Sequence, residues 1–214
     1  MEVNTNFFKE INKKQEEFVN VLLNQGEIIT IAGERQTTKS TLAYKIANKY
    51  LDDNKKVLII APNLGLLNWY REKIGKENKN VKYHVASNDT LPRLKGYMFD
   101  LIINEEILFF DDKNICLNKN ASGFLEQEQW YLERGGQIIN TTLLPNVMTP
   151  MYKQYESICS VSTCNCVLSY KFSQNFKTGE FTPSLNLSGH FINHTDEEGN
   201  RHYCYFDNYY KLND

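Results

Sequence analysis

The chain has 214 residues, 41% of them hydrophobic and 13% aromatic, with a formal charge of −2. That is enough apolar material for one sizeable core with a small appendage, and the balance of charge excludes passive coating of nucleic acid, leaving only a local basic groove for such a partner. No apolar run approaches the ~20 residues of a membrane span, Met1-Glu2-Val3-Asn4 lacks a signal-peptide profile, and five cysteines fit a reducing compartment better than a secreted disulfide framework. A soluble intracellular protein is expected.

Phe8, Ile11, Gln15, Phe18 and Leu22 recur at helical spacing, which predicts an amphipathic helix over 7–25 that stops at Gly26. Gln15 has two readings: an amide that pairs with an adenine edge through one donor and one acceptor, or a solvated helix glutamine. A short apolar strand, 27–32, then feeds Gly33-Glu34-Arg35-Gln36-Thr37-Thr38-Lys39-Ser40-Thr41. In a phosphate-binding loop of the form glycine, four residues, Gly-Lys-Ser/Thr, backbone N–H groups wrap the phosphates, the lysine reaches the outer ones and the hydroxyl meets Mg²⁺. Gly33, Lys39 and Ser40 are in register, but Thr38 stands where the second glycine belongs, and a β-branched residue restricts φ and close approach. The alternative is a plain polar strand-to-helix loop.

Leu42, Ala43, Ile46, Ala47 and Tyr50 share a helical face over 40–51. Val57 to Ala61 is a continuous apolar run, as a parallel strand covered on both faces requires. Residues 64–75 read as a helix and 81–86 as a strand, followed by a polar loop through Pro92. This alternation from residue 27 predicts an α/β domain with a mostly parallel sheet flanked by helices.

Phe99 to Glu106 is an apolar strand with a polar, acidic end. Nucleotide hydrolases place an acid there to hold Mg²⁺ through water and a second to orient the attacking water. By that alignment Asn104 takes the metal-side position and Glu105 the water-side one; an ordinary buried strand with a solvated acidic turn is the alternative. Asp100 is four strand residues away, roughly 13 Å, and is no substitute. Ala121 to Arg134 reads as a helix stopped by Gly135-Gly136, and Gln137 to Thr142 as a strand. Thr141 and Thr142 at its carboxyl end suit either γ-phosphate sensing or capping of the next turn.

Beyond residue 155 the pattern changes to alternating stretches, 167–172, 191–194 and 201–206, with a hairpin signal at Asp196-Glu197-Glu198-Gly199-Asn200. The division expected is a main domain, 1–155, and a small β-rich C-terminal extension, 156–214. Cys159, Cys164, Cys166, Cys204, His190, His194 and His202 match none of the usual paired metal-ligand spacings and are read as buried or surface thiols and imidazoles.

Together these landmarks resemble the ATPase domain of the large terminase subunit, the DNA-packaging motor of tailed bacteriophages. The resemblance covers about residues 10–155. It rests on Arg35-Gln36 ahead of Thr38-Lys39-Ser40, on Gln15 upstream, on Lys95-Gly96 before the acidic strand, and on Ile138 to Asn146 with its threonine pair and Pro145-Asn146, with Tyr152 beyond. It implies a P-loop NTPase fold of the RecA-like kind, with ATP and Mg²⁺ as cofactors. Lys39 would then neutralise phosphate charge, Arg35 would stabilise the transition state, and Glu105 would orient water. Ser40 and Asn104 would hold the metal, Gln15, Gly33, Gln36, Thr37, Thr38 and Thr41 would surround the nucleotide, and Thr141 and Thr142 would sense its γ-phosphate. The implied partners are double-stranded DNA, a phage portal and sister subunits in a ring, in the cytoplasm of an infected host. Terminase large subunits usually continue into a nuclease domain, for which the roughly 60 residues after Tyr155 leave no room, so a nuclease would stand on another chain, be lost, or lie beyond a fragment. Thr38 and Asn104 depart from the family pattern and favour, as an alternative, a catalytically weakened nucleotide-binding scaffold; the early motifs are shared with helicases, so a helicase-like DNA-dependent ATPase is a further alternative.

Overall fold

A computed structural model describes residues 5–87, 90–110, 124–174, 177–178, 181–207 and 211–213. In chain order its elements are α1 (Thr5–Leu22), β1 (Ile28–Gly33), α2 (Lys39–Asp52), β2 (Val57–Ala61), α3 (Leu64–Ile74), β3 (Val81–Val85), the short α4 (Thr90–Arg93) and β4 (Phe99–Asn104). After a 3₁₀ turn at Ile107–Phe109 come α5 (residues 124–129), β5 (Leu132–Leu143), α6 (Pro150–Val161), β6 (Cys164–Gln174), β7 (Phe181–Thr195), β8 (Arg201–Asp207) and β9 (Lys211–Asn213).

The strands form one sheet in the order β3-β2-β4-β5-β1-β6-β7-β8-β9. From β3 to β6 every pairing is parallel, and β7, β8 and β9 follow antiparallel. The segment after residue 155 therefore continues the same sheet, since β6 lies directly against β1. β5 is inserted between β1, which carries the phosphate loop, and β4, which carries the acids. All the loops at the carboxyl ends of β1, β4 and β5 consequently open onto one edge, where ligands bind in open α/β sheets.

Period-two alternation divides the core into two faces. Ile29, Ile31, Ile59, Leu101, Ile103 and Ile139 point toward α1, α2 and α3, where they meet Phe18, Leu42, Ile46, Leu67 and Tyr70. Ile28, Leu58, Ile60, Ile102 and Ile138 point the other way, onto Phe124, Leu125 and Ile158 of α5 and α6. The apolar stripe expected on α2 is the buried one: Leu42, Ala43, Ile46, Ala47 and Tyr50.

The helix expected over 121–134 is shorter in the part that is described. Residues 124–129 are helical, but Leu132 onward is already strand, and Gly135-Gly136 lies inside β5. Pairing decides this: Leu132 stands opposite Phe99, and Phe99 N donates to Tyr131 O at 2.8 Å. The register shifts between Phe99 and Leu101, and Gly135 absorbs the irregularity at φ 80°. Residues 121–123 of the expected helix lie outside the described residues. Helix α6, with Pro150 in its first turn, had no expectation behind it, and α4 interrupts what read as a polar loop.

Candidate nucleotide-binding site

The loop between β1 and α2 begins at a glycine for a steric reason: a Cβ at Gly33 would lie 2.5 Å from Leu168 O and 2.7 Å from Thr37 Oγ1. Gln36 and Thr38 both take left-handed backbone conformations, with φ 63° and 66°. Thr38 thus adopts the conformation for which a phosphate loop normally uses glycine. It precedes α2 without capping it through its side chain, so the first N–H groups of the helix remain available to an anion. Lys39 is 5% exposed. Its Nζ donates to Gly33 O at 3.2 Å and Glu34 O at 3.0 Å and stands 3.7 Å from Glu106 Oε1. Thr37 Oγ1 donates to Glu34 O at 2.8 Å, which closes the loop around the ammonium.

At the end of β4, parity selects the acid. Leu101 and Ile103 face α2, so Glu105 does as well, and Ser40, in the first turn of α2, donates its hydroxyl to Glu105 Oε1. Tyr70 OH donates to Glu105 Oε2 at 2.7 Å. Thr141, also facing α2, accepts from Glu106 N at 3.0 Å. Burial raises the Glu105 carboxyl above its ordinary range, and the bonds from Ser40 and Tyr70 oppose that rise. Glu106 sits at φ 51°, and its Oε2 accepts from Leu143 N at 3.0 Å.

Asn104, by contrast, has Ile102's parity and faces α5. Its Nδ2 donates to Glu128 Oε2 at 2.7 Å and to Asn140 Oδ1 at 2.9 Å. The expected metal-side position therefore points to the opposite face of the sheet from Ser40. The chain of buried polar groups continues from Asn140 Nδ2 to Thr30 Oγ1 at 3.2 Å and from there to Ser162 Oγ at 2.7 Å. Glu128 is fully buried and pushed up to about 8 by desolvation, against the bond from Asn104. Neither Glu128 nor Tyr70 belongs to a motif at recognisable spacing, and no sequence signal marks them.

A cavity of about 540 Å³ opens at this edge. It brings together Arg35, Gln36, Thr38, Lys39, Ser40 and Thr41 with Glu106, opposite an apolar wall of Leu66, Trp69, Phe109 and Leu143. Gly33, Thr37, Glu105 and Thr141 are not part of this lining. Thr142 faces the other side of β5, where its hydroxyl donates to Leu143 O at 3.1 Å. Gln15, 1% exposed, does not line the cavity; its Nε2 donates to Thr38 Oγ1 at 2.8 Å, while its Oε1 is buried without a protein partner. Cys164 and Cys166 are buried on the strand next to β1, and no described group of three or more histidines, cysteines or acids is placed to hold a metal ion.

No protein-family model matches the chain. The leukotoxin translocation ATP-binding proteins LktB of Mannheimia haemolytica and Bibersteinia trehalosi are 34% identical to it over 80 residues, a stretch that takes in 33% of this chain. It is only 11% of those proteins. The flagellar accessory protein FlaH from Methanocaldococcus jannaschii superposes on 88% of this chain and 90% of its own, with a TM-score of 0.52 at 16% identity. The fold is that of a P-loop NTPase. Its mostly parallel sheet brings the β1–α2 loop and the acidic end of β4 to one cavity at the carboxyl edge of the strands.

Proposed function

We propose that this chain binds ATP with Mg²⁺ and hydrolyses it as the motor domain of a terminase-type DNA-packaging machine. The observation that carries the enzymatic part is the hydrogen bond from Ser40 to Glu105 with Glu106 next in sequence against Lys39. A P-loop hydroxyl and a buried carboxylate held together form the donor set that suits Mg²⁺, a hard cation that takes oxygen ligands and keeps several waters. The metal, when bound, would polarise the β- and γ-phosphoryl oxygens.

The roles sit one residue later than the alignment of β4 suggested. Glu105 with Ser40 holds the metal side, and Glu106 orients water. Thr141 fixes the position of Glu106 beside Glu105 by accepting from Glu106 N. Lys39 exchanges its two loop carbonyls for phosphate oxygens. Arg35, exposed on the cavity rim, supplies positive charge to the transition state.

The terminase part of the reading is supported by motif order: Gln15, Arg35-Gln36, Lys95-Gly96, the acidic strand, and then Thr141-Thr142 followed by Pro145-Asn146. Its partners would be duplex DNA, a portal and sister subunits in a ring, in an infected host's cytoplasm. ATP hydrolysis measured with and without duplex DNA, beside Lys39→Ala and Glu105→Gln, tests it. Turnover stimulated by DNA and lost in both variants supports the motor. A second reading, a nucleotide-holding scaffold, is favoured by Thr38, a β-branched residue in the glycine position; it predicts ATP-dependent stabilisation without turnover.

A further inference from the structure

Thr38 lies at φ 66°, ψ 23°. For a residue with a Cβ, the left-handed region is disfavoured relative to the right-handed one, and β-branching adds to the crowding. Nothing in α2 offsets this, because Thr38 makes no side-chain bond to its own helix. The bond it does make crosses 23 residues, from Nε2 of Gln15 on α1 to Thr38 Oγ1 at 2.8 Å.

Gln15 is placed firmly enough to act as a brace. Phe18, Val19 and Leu22 of the same helix are fully buried against Leu42, Ala43 and Ile46 of α2. Glu16 Oε1 also accepts from Lys45 Nζ at 2.6 Å, a second tie between the two helices. The amide thus approaches Thr38 from a surface fixed by the core, independently of the loop's own backbone.

We propose that Gln15 is a positioning residue for the phosphate loop. Its amide holds Thr38 in the left-handed conformation the loop needs there, so α1 performs for Thr38 what the absence of a Cβ performs in a Gly-Lys-Ser/Thr loop. The effect on phosphate binding rests on the nucleotide reading above; the bracing of the loop does not.

A double-mutant cycle of Gln15→Met and Thr38→Gly tests this, with two readouts. The first is thermal unfolding without ligand. Gln15→Met lowers Tm in the parent, and leaves it unchanged or raises it in Thr38→Gly, where the amide has lost its partner and the strain is gone. The second is the Kd for Mg²⁺ and inorganic tripolyphosphate, a probe with no base, so that any contact of Gln15 with adenine drops out. Loss of a neutral hydrogen bond of ordinary strength corresponds to roughly a fivefold rise in Kd in the parent, against none in Thr38→Gly. Equal effects of Gln15→Met in both backgrounds, or none in the parent, overturn the proposal. If tripolyphosphate and ATP bind to no variant, the nucleotide reading falls, while the unfolding cycle still decides whether Gln15 braces Thr38. Should Gln15→Met fail to fold, Gln15→Asn, whose shorter amide falls short of Thr38, replaces it in the same cycle.

Discussion

The hydroxyl of Ser40 donates to Glu105, while Asn104, one residue earlier, turns its amide to Glu128 on the other face of the sheet. Glu105→Gln keeps the shape and removes the charge, so the Mg²⁺ affinity of the ATP-loaded protein should fall roughly 10–100-fold, read by titrating Mg²⁺ against hydrolysis. Asn104→Asp, the substitution that would restore an acid in the aligned position, should leave that affinity unchanged. It places a second carboxyl beside Glu128 in a fully buried setting and should lower the unfolding free energy by about 2 kcal/mol or more, measured by urea denaturation. A gain of Mg²⁺ affinity in Asn104→Asp would show that the acids are assigned to the wrong positions.

Tyr70 touches both halves of the site, donating to Glu105 Oε2 at 2.7 Å and contacting Ser40 O at 3.3 Å. Tyr70→Phe keeps the ring in the core but leaves one buried carboxylate oxygen without a donor, which costs about 1–3 kcal/mol. We expect a lower melting temperature and a higher Mg²⁺ requirement for hydrolysis, with little change in the KM for ATP. A raised KM for ATP with an unaltered Mg²⁺ requirement would place Tyr70 on the nucleotide instead.

Thr141 and Thr142 are neighbours with opposite roles. Thr141 accepts from the backbone N–H of Glu106 on the α2 side, whereas Thr142 donates to Leu143 O on the far face. Replacing each by valine, close in volume but without the hydroxyl, separates them: Thr141→Val should depress kcat for ATP hydrolysis at least tenfold, and Thr142→Val should leave kcat within about twofold. Equal losses in the two variants would mean that the strand end matters only for packing.

Glu128 gives the fold a pH dependence. Its carboxyl rises from the ordinary 4.5 to about 8 because burial disfavours the charged form. Between those values the folded chain holds a proton that the unfolded chain has released. Its contribution is therefore fully present below about pH 4.5, declines as pH rises toward about 8, and is flat above. The slope is at most about 1.4 kcal/mol per pH unit over that window, and Glu105, shifted in the same direction, adds to it. Urea unfolding of Glu128→Gln at pH 5 and pH 8 should show a much smaller difference than the parent does. An unchanged difference would mean that Glu128 is ionised in the folded chain.

Much of this architecture is legible in the residues alone. Val57 to Ala61 reads as a doubly covered strand because it is apolar without alternation, and α2 announces itself by Leu42, Ala43, Ile46, Ala47 and Tyr50. Gly33, Lys39 and Ser40 locate the phosphate loop because their spacing is local chemistry within one turn. Glu128 and Tyr70 lie outside any such spacing: Glu128 is 24 residues after its partner Asn104, on the far face of the sheet, and Tyr70 is 30 after Ser40, and only packing brings each to its partner. Helix α6 was missed because its single fully buried apolar residue, Ile158, provides little periodicity.

The sequence by itself determined that a glycine-to-Lys39-Ser40 loop between strand and helix precedes an acidic strand and a threonine pair in an α/β sheet, because hydrophobic periodicity and loop spacing are properties of short segments. Only the tertiary structure decided which acid meets Ser40 and how Thr38 is held. Successive side chains of a strand face opposite sides, so Asn104 and Glu105 are equivalent candidates until the packing of α2 on the Ile103 face chooses between them. The left-handed Thr38 likewise finds its partner only when α1 is laid against α2.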